Sequence, residues 1–338
     1  MKQRELDLDF IKVIASIMVI MLHIGNVYMR SDYFGGSQVY HYFGMFYSVF
    51  FRTCVPLFVM ISGYLYFESK SNDDYKLYYI KILKRIVFPT ILISIFYCAI
   101  SAIREYSLYG IISWNKYVTD ILSGNAYSHL WYMYMICGLY LFAPILRLFR
   151  SKLEKYGILL CGGILCAFGV CLAFLFDLPW PLLFLQYLGY FVLGWGLKRI
   201  KKQTIKMKII SLIGSMFIMF TAFLVTVLQE IYSFHPNLQI YKYLSPVTIV
   251  ASIMLFWGLT GCKINSQAGV WISRLAKHNL GIYFIHQLYI DILYHWILQD
   301  NTIYLFPLFS VPVVACIIYL LSFATSVGWS NIIKIIRR

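Results

Sequence analysis

The chain has 338 residues, 61% of them hydrophobic and only 13% charged, against about 45–50% apolar and about 25% charged in an ordinary soluble domain. That composition excludes a soluble globular enzyme and makes lipid the main solvent. The formal net charge of +15 would point to nucleic acid only if the basic groups gathered on one water-facing surface; they stand instead in short clusters between apolar runs, so no nucleic-acid partner is expected.

A spanning helix needs about 20 mostly apolar residues. Ten candidates follow along the chain, at about residues 10–29, 43–66, 78–103, 128–146, 157–176, 181–197, 209–228, 243–261, 277–298 and 304–327. Cytoplasmic loops retain positive charge, so the basic clusters orient these spans. With the N-terminus inside, that side collects Lys2, Arg4 and Lys12, the clusters within 70–85, 147–155 and 198–208, then Lys263, Arg274 and Lys277, and finally Lys334, Arg337 and Arg338. The other side receives only Arg30, Arg104, Lys116 and Lys242, and Arg52 falls within a span. The expected fold is an all-α polytopic membrane protein with about ten transmembrane helices and both termini cytoplasmic, built as one domain over residues 1–338 with no appended soluble domain. The first span has no small-residue cleavage site behind it and reads as an uncleaved helix. The external stretches at about 30–42, 104–127 and 229–242 read as loops whose Gly, Ser, Asn, Tyr and Trp suit either a sugar or a membrane boundary.

An ionisable side chain inside a bilayer is costly, so each one is a candidate site facing the protein interior. His23 lies roughly 20 Å into the first span and Arg52 roughly 13 Å down from the outer end of the second, at 1.5 Å per residue. Neighbouring antiparallel helices could bring the two together. An imidazole there can act as a general base on a hydroxyl, and a guanidinium can steady a developing oxyanion. His129 opens the fourth span; His286 and Asp291 lie in the ninth. These last two spell H-x4-D, but residues five apart on a helix are about 140° apart, which does not favour contact. Asp291 can instead pair with His295 or Gln287 at a spacing of four. The sequence holds no G-x-S-x-G elbow, Walker A loop or H-E-x-x-H motif, and no metal site or disulfide framework is expected from its eight cysteines.

Five segments then become recognisable in order: Leu8 to His23 (LDFIKVIASIMVIMLH), Arg52 to Leu65 (RTCVPLFVMISGYL), Lys81 to Pro89 (KILKRIVFP), His129 to Leu146 (HLWYMYMICGLYLFAPIL) and Leu280 to His286 (LGIYFIH). Together they resemble the acyltransferase-3 family of integral membrane acyltransferases, and the His129 segment is most similar to the branch that O-acetylates surface polysaccharides. The resemblance implies a multi-pass protein of the bacterial inner membrane that moves an acetyl or other short acyl group from cytoplasmic acetyl-CoA to a hydroxyl of a glycan or lipid-linked glycan. The family histidine held to be catalytic maps onto His23, expected to act as base or as transient acyl carrier, and the family arginine before V-P-L-F onto Arg52. Where the family usually has arginine ten residues before that histidine, this chain has Lys12. Lysine keeps the charge without the bidentate fork. Lys81 and Lys84 match the family's pair of arginines three apart, with Arg85 following, and the four basic residues are expected at the CoA phosphates. His129, Trp131 and Tyr134, with His286 and Asp291, are expected on the acceptor side, with helix packing the competing role for the last two. Ten spans with polar groups at mid-depth also suit an exporter of a polysaccharide or small solute, which is the alternative function.

Overall fold

A backbone in lipid must satisfy its own hydrogen bonds, and this chain does so with helices. The computed structural model describes residues 5–30, 37–69, 74–150, 152–200, 203–233, 240–294 and 306–336; His295 and the charges Lys2, Arg4, Lys70, Lys201, Lys202, Arg337 and Arg338 lie outside them. In chain order the α-helices are α1 (Leu6–Tyr28), α2 (Gln38–Phe50), α3 (Cys54–Glu68), α4 (Tyr75–Ile82), α5 (Phe88–Tyr109), α6 (Trp114–Leu122), α7 (Trp131–Arg147) and α8 (Lys155–Leu175). There follow α9 (Trp180–Leu183), α10 (Leu188–Lys198), α11 (Ile205–Ile231), α12 (Pro246–Leu259), α13 (Ser266–Lys277), α14 (Asn279–Leu293) and α15 (Pro307–Ile336). No strand occurs among the described residues.

Among the described residues each of the ten expected spans overlaps a helix. Seven stretches are long and apolar enough to cross a bilayer: Leu6–Tyr28, Gln38–Glu68, Tyr75–Tyr109, Tyr156–Leu175, Trp180–Lys198, Ile205–Ile231 and Pro307–Asn331. In the other three places α7, α12 and α14 have 17, 14 and 15 residues. The protein is an all-α polytopic membrane protein. One reading needs correction: the stretch 104–127 is not a loop, because it holds the end of α5 and the whole of α6.

The chain forms two compact units, one from Met1–Ile61 with Lys201–Arg338 and the other from Ser62–Ile200. In the first unit α1 packs against α2, α13, α14 and α15. Its first-turn acids Asp7 and Asp9 suit a helix N-terminus, yet both are buried, so each needs partners. Asp7 Oδ2 accepts the backbone N–H of Gly261 at 2.6 Å. Gly261 is left-handed (φ 66°), a conformation glycine adopts without a Cβ penalty and a common way to end a helix; α12 ends there. Asp9 holds Lys12 at 3.2 Å and accepts from Ser273 of α13 at 3.4 Å. These contacts fix the start of the helix that carries His23.

Two further devices set the geometry of this unit. A Cβ on Gly25 of α1 would come within 2.8 Å of the Gly44 carbonyl oxygen of α2, so the two antiparallel helices meet backbone to backbone, as small residues permit in membranes. The second device is a break: α2 ends at Phe50, α3 begins at Cys54, and residues 51–53 are turns. Pro56 explains it, having no N–H to give the carbonyl of Arg52 and a ring that clashes with it.

In the second unit α8 and α10 approach at Gly162 and Gly189, where an added Cβ would run into Leu193 and Cys166. Arg147, at the last residue of α7, is buried and donates to the carbonyls of Tyr66 at 3.0 Å and Ser69 at 2.9 Å. It thereby satisfies carbonyls that α3 leaves open at its C-terminus, and its guanidinium lies 5.5 Å from the Tyr66 ring. A residue counted in the sequence only as a topology charge is thus a structural clamp.

Candidate functional site

The first unit brings its mid-depth histidines together by register. The side chains of Ser16 in α1 and Asn279 in α14 are hydrogen-bonded. Seven residues further along each helix stand His23 and His286, two turns and about 10 Å on. The helices run parallel, so equal steps from one pin bring both imidazoles to one depth, with ring centroids 5.4 Å apart and planes tilted by 47°.

The two rings are held differently. His286 is buried, and its Nδ1 lies 2.7 Å from the carbonyl oxygen of Tyr283. A carbonyl only accepts, so Nδ1 carries the proton and Nε2 is the acceptor nitrogen of the neutral ring. His23 is half-buried, and neither of its nitrogens is hydrogen-bonded to a described residue. An imidazole packed for structure is normally tied down; this one is left open to accessible space beside a second imidazole.

Arg52 sits in the break between α2 and α3, within the apolar stretch Gln38–Glu68. Ser48, one turn before it, lies against Gly25, and the antiparallel crossing brings Arg52 to the level of His23, within reach of its charge. Its Nη2 donates to Ser48 Oγ at 3.0 Å, and the guanidinium stands 5.4 Å and 5.0 Å from the ring centroids of Tyr241 and Tyr243. Nε is buried without a hydrogen-bond partner among the described residues. The two tyrosines precede α12 where a stretch read as suiting a sugar or a membrane boundary meets the eighth expected span, so the sequence gives no sign that they cradle an arginine.

The remaining expected residues are distributed as follows. Lys12 is at the start of α1, paired with Asp9. Lys81 ends α4, while Lys84 and Arg85 are exposed in a five-residue π-helical turn, Leu83–Val87; these three belong to the second unit and Lys12 to the first. Asp291 accepts the side-chain N–H of Gln287 at 2.9 Å, the spacing-of-four pairing expected from the sequence. In the second unit His129 is buried, with the rings of Tyr97 and Tyr127 at 5.1 Å and 5.8 Å. The buried Tyr134 hydroxyl lies 3.0 Å from Ser94 Oγ and 2.9 Å from the Ile121 carbonyl oxygen. Trp131 is half-buried, packed on Tyr132 and Tyr187. His129 and Tyr134 are therefore enclosed by packing, and Trp131 retains some accessible surface.

The second unit also holds a cleft of about 430 Å³ between α5 and α7, lined by Ile91, Leu141, Trp180 and Phe184 among others. Thr90 in its wall donates to the Ile86 carbonyl at 2.7 Å, and no ionisable acid, base or cation lines it apart from phenol and thiol groups. A cleft with that lining offers no carboxylate, imidazole or ammonium group for proton transfer.

No curated protein and no solved structure matches the chain. Residues 5–327 match the family model of acyltransferase-3, described as an acyltransferase domain. The match runs from the start of α1 into α15 and includes every candidate residue above. The chain therefore belongs to the acyltransferase-3 family, and the protein is a membrane-embedded acyltransferase.

Proposed function

We propose that the protein moves an acetyl or other short acyl group from acyl-CoA on the cytoplasmic side to a hydroxyl of a cell-surface or lipid-linked polysaccharide, in the manner of the O-acetyltransferase branch of the family and in a bacterial inner membrane. The observation that supports this reading is the open imidazole of His23, facing His286 at mid-span with Arg52 beside it.

In this mechanism His23 takes the proton of the acceptor hydroxyl as its oxygen attacks the thioester carbonyl. Arg52 steadies the oxyanion of the tetrahedral intermediate through its charge and its spare Nε–H. Collapse breaks the carbon–sulfur bond, and the leaving thiolate recovers the proton from the imidazolium, so the enzyme ends as it began. His286, with its tautomer set by Tyr283, offers His23 a neutral neighbour and not a competing charge. Lys81, Lys84 and Arg85, close together on one segment, suit the phosphates of CoA, which lysine binds as a point charge; Lys12, at the start of α1, is a separate basic candidate for the donor. Trp131 is the acceptor-side residue with surface left to offer a sugar face.

The direct test supplies radiolabelled acetyl-CoA to membranes carrying the protein and follows alkali-labile label into surface glycan. Label in the glycan is the expected result. Glycan that reaches the far side equally well with no acyl donor, and without label, would replace the enzyme by an exporter. Lys12→Arg, which keeps the charge and adds the fork, is expected to leave the KM for acetyl-CoA unchanged or lower; a large fall in kcat would mean that Lys12 acts through geometry of its own.

A further inference from the structure

Helix α6 lies outside the catalytic reading. Trp114, Val118 and Leu122 recur at steps of four along it and are 66%, 57% and 66% exposed, while Lys116 and Asp120 occupy another face. Tyr117 is buried against the rest of the unit. With nine residues the helix is far too short to span a bilayer, and in water such a stripe would be an apolar patch without a reason.

Its tethers place it at the end of a spanning helix. Glu105, one turn before the end of α5, accepts the N–H of Ser113 at 3.1 Å, the Ser113 hydroxyl at 2.8 Å and the Tyr117 hydroxyl at 2.9 Å. The Tyr134 hydroxyl of α7 donates to the Ile121 carbonyl. Before it in the chain Ile111 is exposed, as are Tyr106 and Ile103 on α5 itself. On a helix that crosses a membrane such exposed apolar residues face lipid, and the Glu105 tethers hold α6 at that end of α5. A tryptophan at the head of the stripe fits the headgroup boundary, where one side of the ring is apolar and the indole N–H is wet.

We infer that α6 is an in-plane membrane anchor, its Trp114, Val118 and Leu122 embedded in the leaflet at the end of α5 remote from the Lys81–Arg85 stretch. The partner is the lipid leaflet, and the polar face with Lys116 and Asp120 looks away from it.

The test places the photo-crosslinking residue p-benzoylphenylalanine in the full chain, reconstituted in phosphatidylethanolamine and phosphatidylglycerol vesicles. Separate variants carry it at Val118, Leu122, Lys116 and, as a lipid-facing control, Ile103. Mass spectrometry is expected to find lipid adducts at 118 and 122 in clear excess over 116, matching the control. Equal adducts on both faces of α6, none at 118 and 122 while 103 is labelled, or protein adducts in their place would each overturn the inference. Val118 and Leu122 are independent surface positions, so a variant that fails to assemble at one leaves the other to decide.

Discussion

Cells carrying His23→Ala are expected to make surface glycan with O-acyl groups reduced by about 10²–10⁴-fold relative to wild type at equal protein level, the range typical of losing a positioned general base. NMR of the isolated glycan measures it. The expectation of a catalytic loss without a folding loss comes from the way the side chain is held. His23 makes no hydrogen bond to a described residue, so alanine leaves no orphaned polar partner behind, and alanine is the best helix former. Membrane yield and gel-filtration profile should therefore match wild type while activity disappears. Unchanged O-acylation would remove His23 from the chemistry. A protein that no longer accumulates would mean that the ring serves packing, contrary to its open nitrogens.

Arg147→Met carries the largest expected cost to stability, about 2–5 kcal/mol. The buried Arg147 gives up its hydrogen bonds to the carbonyls of Tyr66 and Ser69, and a hydrogen bond to a charged group contributes about 1.5–3 kcal/mol. The favourable placing of a cation at the C-terminus of α3 goes with them. Thermal unfolding of the purified protein in detergent, followed by tryptophan fluorescence, checks the size. Arg147→Lys restores the charge and one donor and should recover about half of the loss. If Arg147→Met unfolds with the wild type, the clamp contributes nothing and Arg147 is a topology charge after all.

The sequence was most informative where the signal is local. Apolar runs located the seven stretches long and apolar enough to cross a bilayer, because length and hydropathy decide whether a segment can live in lipid. Depth arithmetic along α1 and along the second span put His23 and Arg52 at comparable levels. The break at Arg52 was just as local and was overlooked: Pro56 stands four residues after it, the spacing at which proline removes a helix hydrogen bond. What could not be read were meetings between distant segments. Nothing near Asp7 announces Gly261, and nothing near Arg52 announces Tyr241 and Tyr243. His286 is the instructive middle case. Its place in a span was legible, but its partner follows only when Ser16 is known to meet Asn279, after which the seven-residue steps make the pairing with His23 arithmetic. The stretch containing α6 misled because Trp, Asn and Ser resemble loop composition, whereas the recurrence of Trp114, Val118 and Leu122 at steps of four carried the helical information.

The unit that holds the histidine pair is assembled from both ends of the chain, Met1–Ile61 and Lys201–Arg338, with Ser62–Ile200 inserted between them. This arrangement has a consequence for biogenesis. During synthesis His23 and Arg52 enter the membrane early, on adjacent segments that can dock through Gly25 and Gly44. His286 follows more than 200 residues later. A nascent or truncated chain thus exposes a lone imidazole without its partner, and the complete constellation exists only once nearly the whole polypeptide has left the ribosome.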